Sequence, residues 1–166
     1  MNIRLRPLEE KDASGMLEWM TDPTIVCFFR FDASSITLDS CRSFIAAADQ
    51  DPNTHHYAIA DEADVYLGTI SLKDIDCKKK TAEYAISTRK CIQGTGAAMQ
   101  ATEKILEIAF MDLGLEQVYL NVLAENGRAN QFYKKAGFSF DYCEKHAVKI
   151  KGEWKDLNWY SIRRRG

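Results

Sequence analysis

A turn of six small or polar residues constrains the fold of this chain more than any other feature. The sequence Gln93-Gly94-Thr95-Gly96-Ala97-Ala98 lies between an alternating segment at residues 81–88 and a segment of helical periodicity at residues 99–113. Because two glycines and two alanines remove nearly every large side chain, backbone N–H groups at the start of the helix stay accessible. We therefore predict a strand-to-helix turn that can bind a phosphate or pyrophosphate.

Strand-like and helix-like segments follow one another along the rest of the chain. Strands are predicted at residues 3–8, 57–60, 66–72, 81–88, 117–123, 138–143 and 154–162, and helices at residues 13–21, 37–48, 99–113 and 130–136. The apolar run at residues 25–31 could form a further helical turn or a loop. This order predicts a mixed α+β fold. With 166 residues and no linker, the chain is expected to form a single domain, 1–166.

The overall composition excludes several classes of protein. A net charge of −2 argues against a nucleic-acid-binding protein and leaves a cationic substrate possible. No segment approaches the roughly 18 consecutive apolar residues of a membrane span. Five scattered cysteines without CxxC spacing, together with the absence of an N-terminal apolar run, predict reduced thiols and a cytoplasmic protein. No metal site is expected, because the three histidines lack partners at ligand spacing.

The glycine turn itself permits several interpretations. A Walker A loop requires Gly-x-x-x-x-Gly-Lys-Ser/Thr, and no such lysine follows here. A Rossmann turn requires a third glycine, where this chain has Met99, and it belongs near the first strand rather than past mid-chain. A plain turn, in which the small residues serve packing alone, remains an alternative on the hexapeptide by itself.

A second spaced set of residues, Asn126, Ala129, Tyr133 and Gly137-Phe138, follows downstream of a predicted strand. Together the two motifs resemble those of the GCN5-related N-acetyltransferase (GNAT) family. Gln93, Gly96 and Ala98 match its Gln/Arg-x-x-Gly-x-Gly/Ala motif, and the downstream set matches its Asn-x-x-Ala-x-x-x-Tyr-x-x-x-Gly-Phe pattern. Residues 3–8 and 152–156 look like the branch that contains ribosomal-protein N-terminal alanine acetyltransferases. That branch also includes enzymes for small amines and amino sugars.

The resemblance implies a central twisted mixed β-sheet of about seven strands, flanked by about four helices. It also implies acetyl-CoA as the donor. The cofactor-binding residues would be Gln93, Gly94, Thr95, Gly96, Ala97, Ala98 and Asn126, of which Asn126 could also cap a helix. Strands 81–88 and 117–123 would splay apart to admit the pantetheine arm. A backbone N–H at residues 120–122 would polarise the thioester carbonyl.

Two side chains are candidates for the catalytic roles. The resemblance makes Tyr133 the general acid that protonates the CoA thiolate, although its helical spacing also suits a packing residue. Glu83, a lone glutamate between small residues, could act as general base or bind the amine, or it could pair with a basic residue across the sheet. The aromatic run at residues 27–31 could line the acceptor site or contribute phenylalanines to the core. Trp154, Trp159 and Tyr160 could line the same pocket or a dimer contact.

The function implied is transfer of an acetyl group to a primary amine by direct attack on the thioester. The acceptor would be a protein N-terminus, or a small amine or amino sugar. The alternative is an acyl-CoA-binding module without turnover, and either could be a monomer or a homodimer. Neither motif identifies the acceptor amine.

Overall fold

The computed structural model describes residues 2–26 and 33–165 of the chain. Its strands are β1 (Arg4–Pro7), β2 (His55–Ala60), β3 (Tyr66–Asp76), β4 (Thr81–Thr88), β5 (Gln117–Leu123), β6 (Ser139–Ile150) and β7 (Glu153–Arg163). Its helices are α1 (Ala13–Met20), α2 (Pro23–Val26), α3 (Leu38–Ala47), α4 (Ala97–Glu107) and α5 (Gly127–Lys135). Residues Ile108–Asp112 continue α4 as a π-helix. The strands form one seven-stranded sheet in the order β1-β2-β3-β4-β5-β7-β6.

The predicted α+β fold with a mixed sheet of about seven strands is confirmed, and its elements follow in the predicted order. Five helices are present in the described residues, because the start of the run at 25–31 belongs to the single-turn helix α2. Strand β6 extends to Ile150, beyond the predicted end at residue 143. Its second half escaped prediction because β6 is an edge strand whose residues are mostly exposed, and residues 144–150 show no regular alternation of apolar and polar side chains.

The pairing of β4 with β5 differs from every other pairing in the described sheet, because it is parallel and short. Only three rungs join the two strands: Thr81 with Gln117, Ala82 with Val118, and Glu83 with Tyr119. Beyond the third rung, residues 84–88 pair with β3 only, and residues 120–123 pair with β7 only. The two strands therefore separate at mid-length, as the resemblance implied, and each leaves one backbone edge facing the gap.

The two faces of the sheet carry separate apolar clusters. Helix α4 covers one face, where Ile105 packs with Tyr84 of β4, and both are buried. Helices α1 and α3 cover part of the opposite face, where Met16 packs with Ala58 of β2. Because successive strand side chains point to opposite faces, Tyr84 lies on the α4 face and Glu83 on the α1/α3 face. The gap between β4 and β5 therefore has the Tyr84 ring on its α4 side and the Glu83 carboxylate on its α1/α3 side.

Candidate active site

Gly94 and Gly96 give the turn before α4 its shape, because both have positive φ, 82° and 83°. Gly96 is the N-cap residue of α4, which begins at Ala97, slightly before the predicted start at residue 99. A Cβ atom at either glycine would meet no heavy atom within 4 Å, so the turn is open on that side. Within the described residues, the N–H groups of Gly94 and Gly96 make no hydrogen bond. The turn therefore presents backbone donors and the positive end of α4 to an anion.

The other residues of the turn hold it in place. The Thr95 hydroxyl donates to the Ile92 carbonyl at 2.6 Å, and Ala97 is fully buried in the core. Gln93 is exposed, and its Oε1 accepts a hydrogen bond at 2.9 Å from Arg128 of α5. Ala98 is half-buried in the first turn of α4. The contact between Gln93 and Arg128 joins the two motifs that the sequence separates.

Asn126 is the N-cap residue of α5, and its side-chain oxygen accepts a hydrogen bond at 3.3 Å from the Ala129 N–H. Capping satisfies one of the N–H groups that the first turn of a helix leaves without an intrahelical partner. The same residue follows directly on the turn after β5. It therefore lies at the end of the gap between β4 and β5. There the hydrogen bond from Arg128 to Gln93 connects the start of α5 with the turn before α4.

Tyr133 of α5 lies within a group of aromatic rings on the α4 face. Its ring centroid is 5.8 Å from Tyr84, 6.0 Å from Phe138 and 6.3 Å from Tyr160. Burial among these rings disfavours the phenolate and raises the pKa of Tyr133 to about 12. No residue of the described ranges forms a hydrogen bond with the hydroxyl. Tyr133 thus carries a proton at neutral pH, and its hydroxyl is engaged by no group within residues 2–26 and 33–165.

A buried amide network fixes α5 against the sheet, and the sequence analysis missed it. The Asn130 Nδ2 donates to the carbonyl of Leu123 at the end of β5 (3.1 Å) and to that of Asn126 (2.7 Å). Its Oδ1 accepts from Asn158 Nδ2 at 2.9 Å and from the Tyr160 hydroxyl at 2.7 Å. Both partners come from β7, so no local sequence pattern signals the network. Asn130 lies one turn before Tyr133 and thereby sets the position of that ring.

Glu83 belongs to the last rung of the parallel pair, opposite Tyr119. Its carboxylate forms an ion pair with Lys73 of β3, at 3.3 Å between Nζ and Oε2. The alternative of a cross-strand partner is therefore present in the structure. The carboxylate is also next to the point where β4 and β5 separate, on the face opposite Tyr133. The two candidate catalytic residues consequently flank the gap from its two sides.

The predicted acceptor-side residues take different positions. The aromatic run at 27–31 lies outside the described residues. Tyr160 is fully buried on the α4 face, whereas the preceding residue, Trp159, points to the α1/α3 face. Trp154 is 58% exposed, with the Lys149 ammonium above its ring. The prediction that the three aromatic residues could line one pocket is therefore wrong for Tyr160, because strand alternation turns it into the core.

Residues 2–26 and 33–165 contain neither a metal-binding cluster nor a membrane-spanning helix. No group of three or more histidine, cysteine, aspartate or glutamate side chains there could hold a metal ion. None of the helices in these ranges is long and apolar enough to cross a membrane. Arg89, directly before the turn, donates to the Glu18 carboxylate (2.7 and 3.1 Å) and to the Tyr66 carbonyl (3.0 Å).

Comparison with known proteins decides the family. The sequence model described as the Acetyltransferase (GNAT) domain matches residues 2–139, which include the glycine turn, the gap between β4 and β5, and Tyr133. The chain belongs to the GNAT acetyltransferase family. It is therefore an N-acetyltransferase, and acetyl-CoA is the donor of the acetyl group, as the two motifs predicted.

Relatives of the acetyltransferase act on different acceptors. Spermidine N(1)-acetyltransferase of Escherichia coli K12 is 27% identical over 167 residues, which is 93% of this chain and 82% of that protein. Ribosomal-protein-serine acetyltransferase of the same organism is 26% identical over 98 residues, 59% of this chain and 55% of that protein. The spermidine enzyme thus aligns over more of the chain than the ribosomal-protein enzyme does.

A solved structure has the same fold. Spermidine N-acetyltransferase of Vibrio cholerae, in complex with CoA and spermine, superimposes with a TM-score of 0.87. The two sequences are 22% identical, and the superposition covers 97% of this chain and 95% of that one. The similarity extends over the whole sheet, including its strands β6 and β7 beyond the matched family domain.

Proposed function

We propose that the acetyltransferase binds acetyl-CoA across the gap between β4 and β5 and acetylates a small cationic amine there. The observation that supports this most is the early end of the parallel pair at Glu83 and Tyr119. It places an opening in the sheet between the glycine turn, Tyr133 and Glu83. A domain that binds no ligand would need none of these features.

The donor is held by groups that the sequence already indicated. The N–H groups of Gly94, Gly96 and Ala98 and the positive end of α4 bind the pyrophosphate, whereas the Thr95 and Ala97 N–H groups bond within the turn. Gln93 shapes the turn through its contact with Arg128. The Asn126 side chain contacts CoA from the start of α5. The pantetheine amides pair with the backbone edges of residues 84–88 and 120–123, as an added strand does. An N–H at residues 120–122 polarises the thioester carbonyl.

The reaction moves two protons. The neutral amine attacks the thioester carbon, and collapse of the tetrahedral intermediate breaks the C–S bond. Tyr133 donates its proton to the departing thiolate. With the pKa of Tyr133 at about 12 and that of an alkyl thiol near 8.5, the transfer is unfavourable alone and must accompany C–S cleavage. The amine proton passes to Glu83, which must then loosen its ion pair with Lys73.

The acceptor is a small amine, with polyamines favoured over protein N-termini. The relative named for spermidine aligns with 93% of this chain, and the one named for a ribosomal protein with 59%. Glu83 and nearby aromatic rings on the α1/α3 face suit a cation better than a peptide backbone. We also propose a cytoplasmic, single-domain protein that acts as a monomer or a homodimer.

Release of free CoA thiol from acetyl-CoA tests this function. Spermidine, butylamine, an amino sugar and a peptide with a free N-terminal alanine would each be supplied as acceptor. We expect thiol release to be fastest with spermidine. Tight binding of acetyl-CoA without thiol release for any amine would contradict catalysis and indicate a binding module. Faster release with the peptide than with spermidine would contradict the proposed acceptor.

A further inference from the structure

A row of aromatic side chains crosses the sheet on the α1/α3 face, beyond helices α1 and α3. Tyr119 of β5 and Trp159 of β7 have ring centroids 6.2 Å apart, and Tyr142 of β6 stacks on Trp159 at 6.0 Å with an interplanar angle of 12°. Strand register places all three on the same face as Glu83. We call Tyr119, Trp159 and Tyr142 the aromatic row.

The row begins at the reaction site. Tyr119 forms the last rung with Glu83, so its ring lies beside the point where β4 and β5 separate. From β5 the row runs across β7 to the edge strand β6, a distance of two strand spacings, or about 10 Å. Tyr142 at the far end is 53% exposed. A molecule at the gap could therefore extend along the row towards solvent.

Carboxylates lie beside two members of the row, Tyr119 and Trp159. Burial and the nearby charges of Glu83, Asp74 and Asp76 raise the pKa of Tyr119, which indicates a negative field at that ring. In the middle of the row, the Trp159 indole N–H donates to the Glu144 carboxylate at 3.0 Å. Lys73 offsets the charge of Glu83 through an ion pair, and the charge of Lys79 acts on Asp76. The faces of tyrosine and tryptophan rings attract cations, and neighbouring carboxylates strengthen that attraction.

We propose that the aromatic row binds the distal ammonium group of an acceptor that carries two or more amines, while its reacting amine lies at the gap. This rests on the proposed function, and it names the part of the acceptor that the enzyme recognises. A monoamine such as butylamine lacks the second charge and gains nothing from the row. The row therefore lowers the KM for oligoamines relative to the KM for monoamines.

Steady-state kinetics with spermidine and butylamine test the row. In Trp159→Leu and Tyr142→Leu, we expect the KM for spermidine to rise about tenfold, the effect of losing roughly 1.4 kcal/mol of cation binding. The KM for butylamine should change less than twofold. Glu144→Gln should raise the spermidine KM in the same direction. Phe140→Leu removes an aromatic ring of β6 that is about as exposed as Tyr142 but packs against Tyr160 on the α4 face, and it should leave both KM values unchanged.

Three outcomes would overturn the proposal, each in a different way. Equal changes in both KM values would mean that the row does not sense the second charge, while acetyl transfer itself stands. A changed oligomeric state of Tyr142→Leu by light scattering, with both KM values unchanged, would assign the face to a second copy of the chain. No thiol release by the unmodified enzyme with any amine would overturn the proposed function and the row together.

Discussion

Glu83 of β4 lies opposite Tyr119 of β5, and with this rung the parallel pairing of the two strands ends. The next residues of each strand remain bonded to β3 or β7 on their outer sides. Their inner edges keep N–H and C=O groups directed into the gap. In the middle of a sheet such groups would normally pair with a neighbouring strand. An extended amide-containing ligand is the partner that this gap can accept.

The glycine turn predicts a specific effect of Gly96→Ala. A Cβ at this left-handed position costs about 1–2 kcal/mol of stability and projects into the open side of the turn. We expect acetyl-CoA binding, measured by calorimetry, to weaken at least tenfold. Gly114→Ala is the control, because Gly114 also has a positive φ of 66° and open surroundings but lies at the other end of α4. Equal loss of binding in both variants would refute the assignment of the turn.

Tyr133→Phe removes only the hydroxyl and retains the ring contacts. Because Tyr133 is protonated at neutral pH, the variant should lose a proton donor and not a charge. We expect kcat to fall well over tenfold, with acetyl-CoA affinity nearly unchanged. Tyr84→Phe provides the comparison, since it removes a neighbouring hydroxyl that bonds Thr102 at 2.8 Å. That variant should lose stability and keep its kcat; unchanged kcat in Tyr133→Phe would exclude Tyr133 as the acid.

Glu83→Gln keeps the shape of the side chain and removes its ability to accept a proton. If Glu83 receives the amine proton, kcat should fall at least tenfold at neutral pH, while the Kd for acetyl-CoA stays the same. Glu116→Gln removes a comparable carboxylate, which pairs with Lys80 at 3.8 Å away from the gap. It should have no effect on kcat. A Glu83→Gln enzyme with normal kcat would leave Glu83 as a structural partner of Lys73.

Asn130→Leu should disturb catalysis through the position of α5. The substitution leaves the Tyr160 hydroxyl and the Asn158 amide without the oxygen that accepts their hydrogen bonds, which costs about 2 kcal/mol or more. We expect a lower melting temperature and a reduced kcat. Gln131→Leu, at an exposed position of the same helix, should change neither. Loss of stability without any loss of kcat would show that the network does not position Tyr133.

The sequence predicted those parts of the fold that depend on local patterns. The alternation of apolar and polar residues predicted the strands. The small residues predicted the turn before α4, whose N-cap residue is Gly96. The end of β6 could not be predicted, because an exposed edge strand buries no continuous face. The Asn130 network depends on β7, and the ion pair between Lys73 and Glu83 depends on register across a hairpin. Such contacts are set by the packing of distant segments, so a single sequence does not display them.

Among the candidate site residues, placement follows the same distinction. The turn and the cap at Asn126 are local, and they lie where the motifs indicated. Trp159 and Tyr160 are adjacent in the chain but belong to opposite faces, because strand alternation separates them. Trp159 gains its role only through Tyr119 and Tyr142, which β5 and β6 bring alongside it. Predicting the environment of Trp159 therefore requires the order of the strands in the sheet.

The structure of the protein bound to CoA would test the central claim most directly. We predict that the pyrophosphate contacts the N–H groups of Gly94, Gly96 and Ala98, and that the pantetheine lies between β4 and β5. The sulfur should lie within hydrogen-bonding distance of the Tyr133 hydroxyl. A sulfur atom outside the gap, or one that Tyr133 cannot reach, would contradict acetyl transfer at this site.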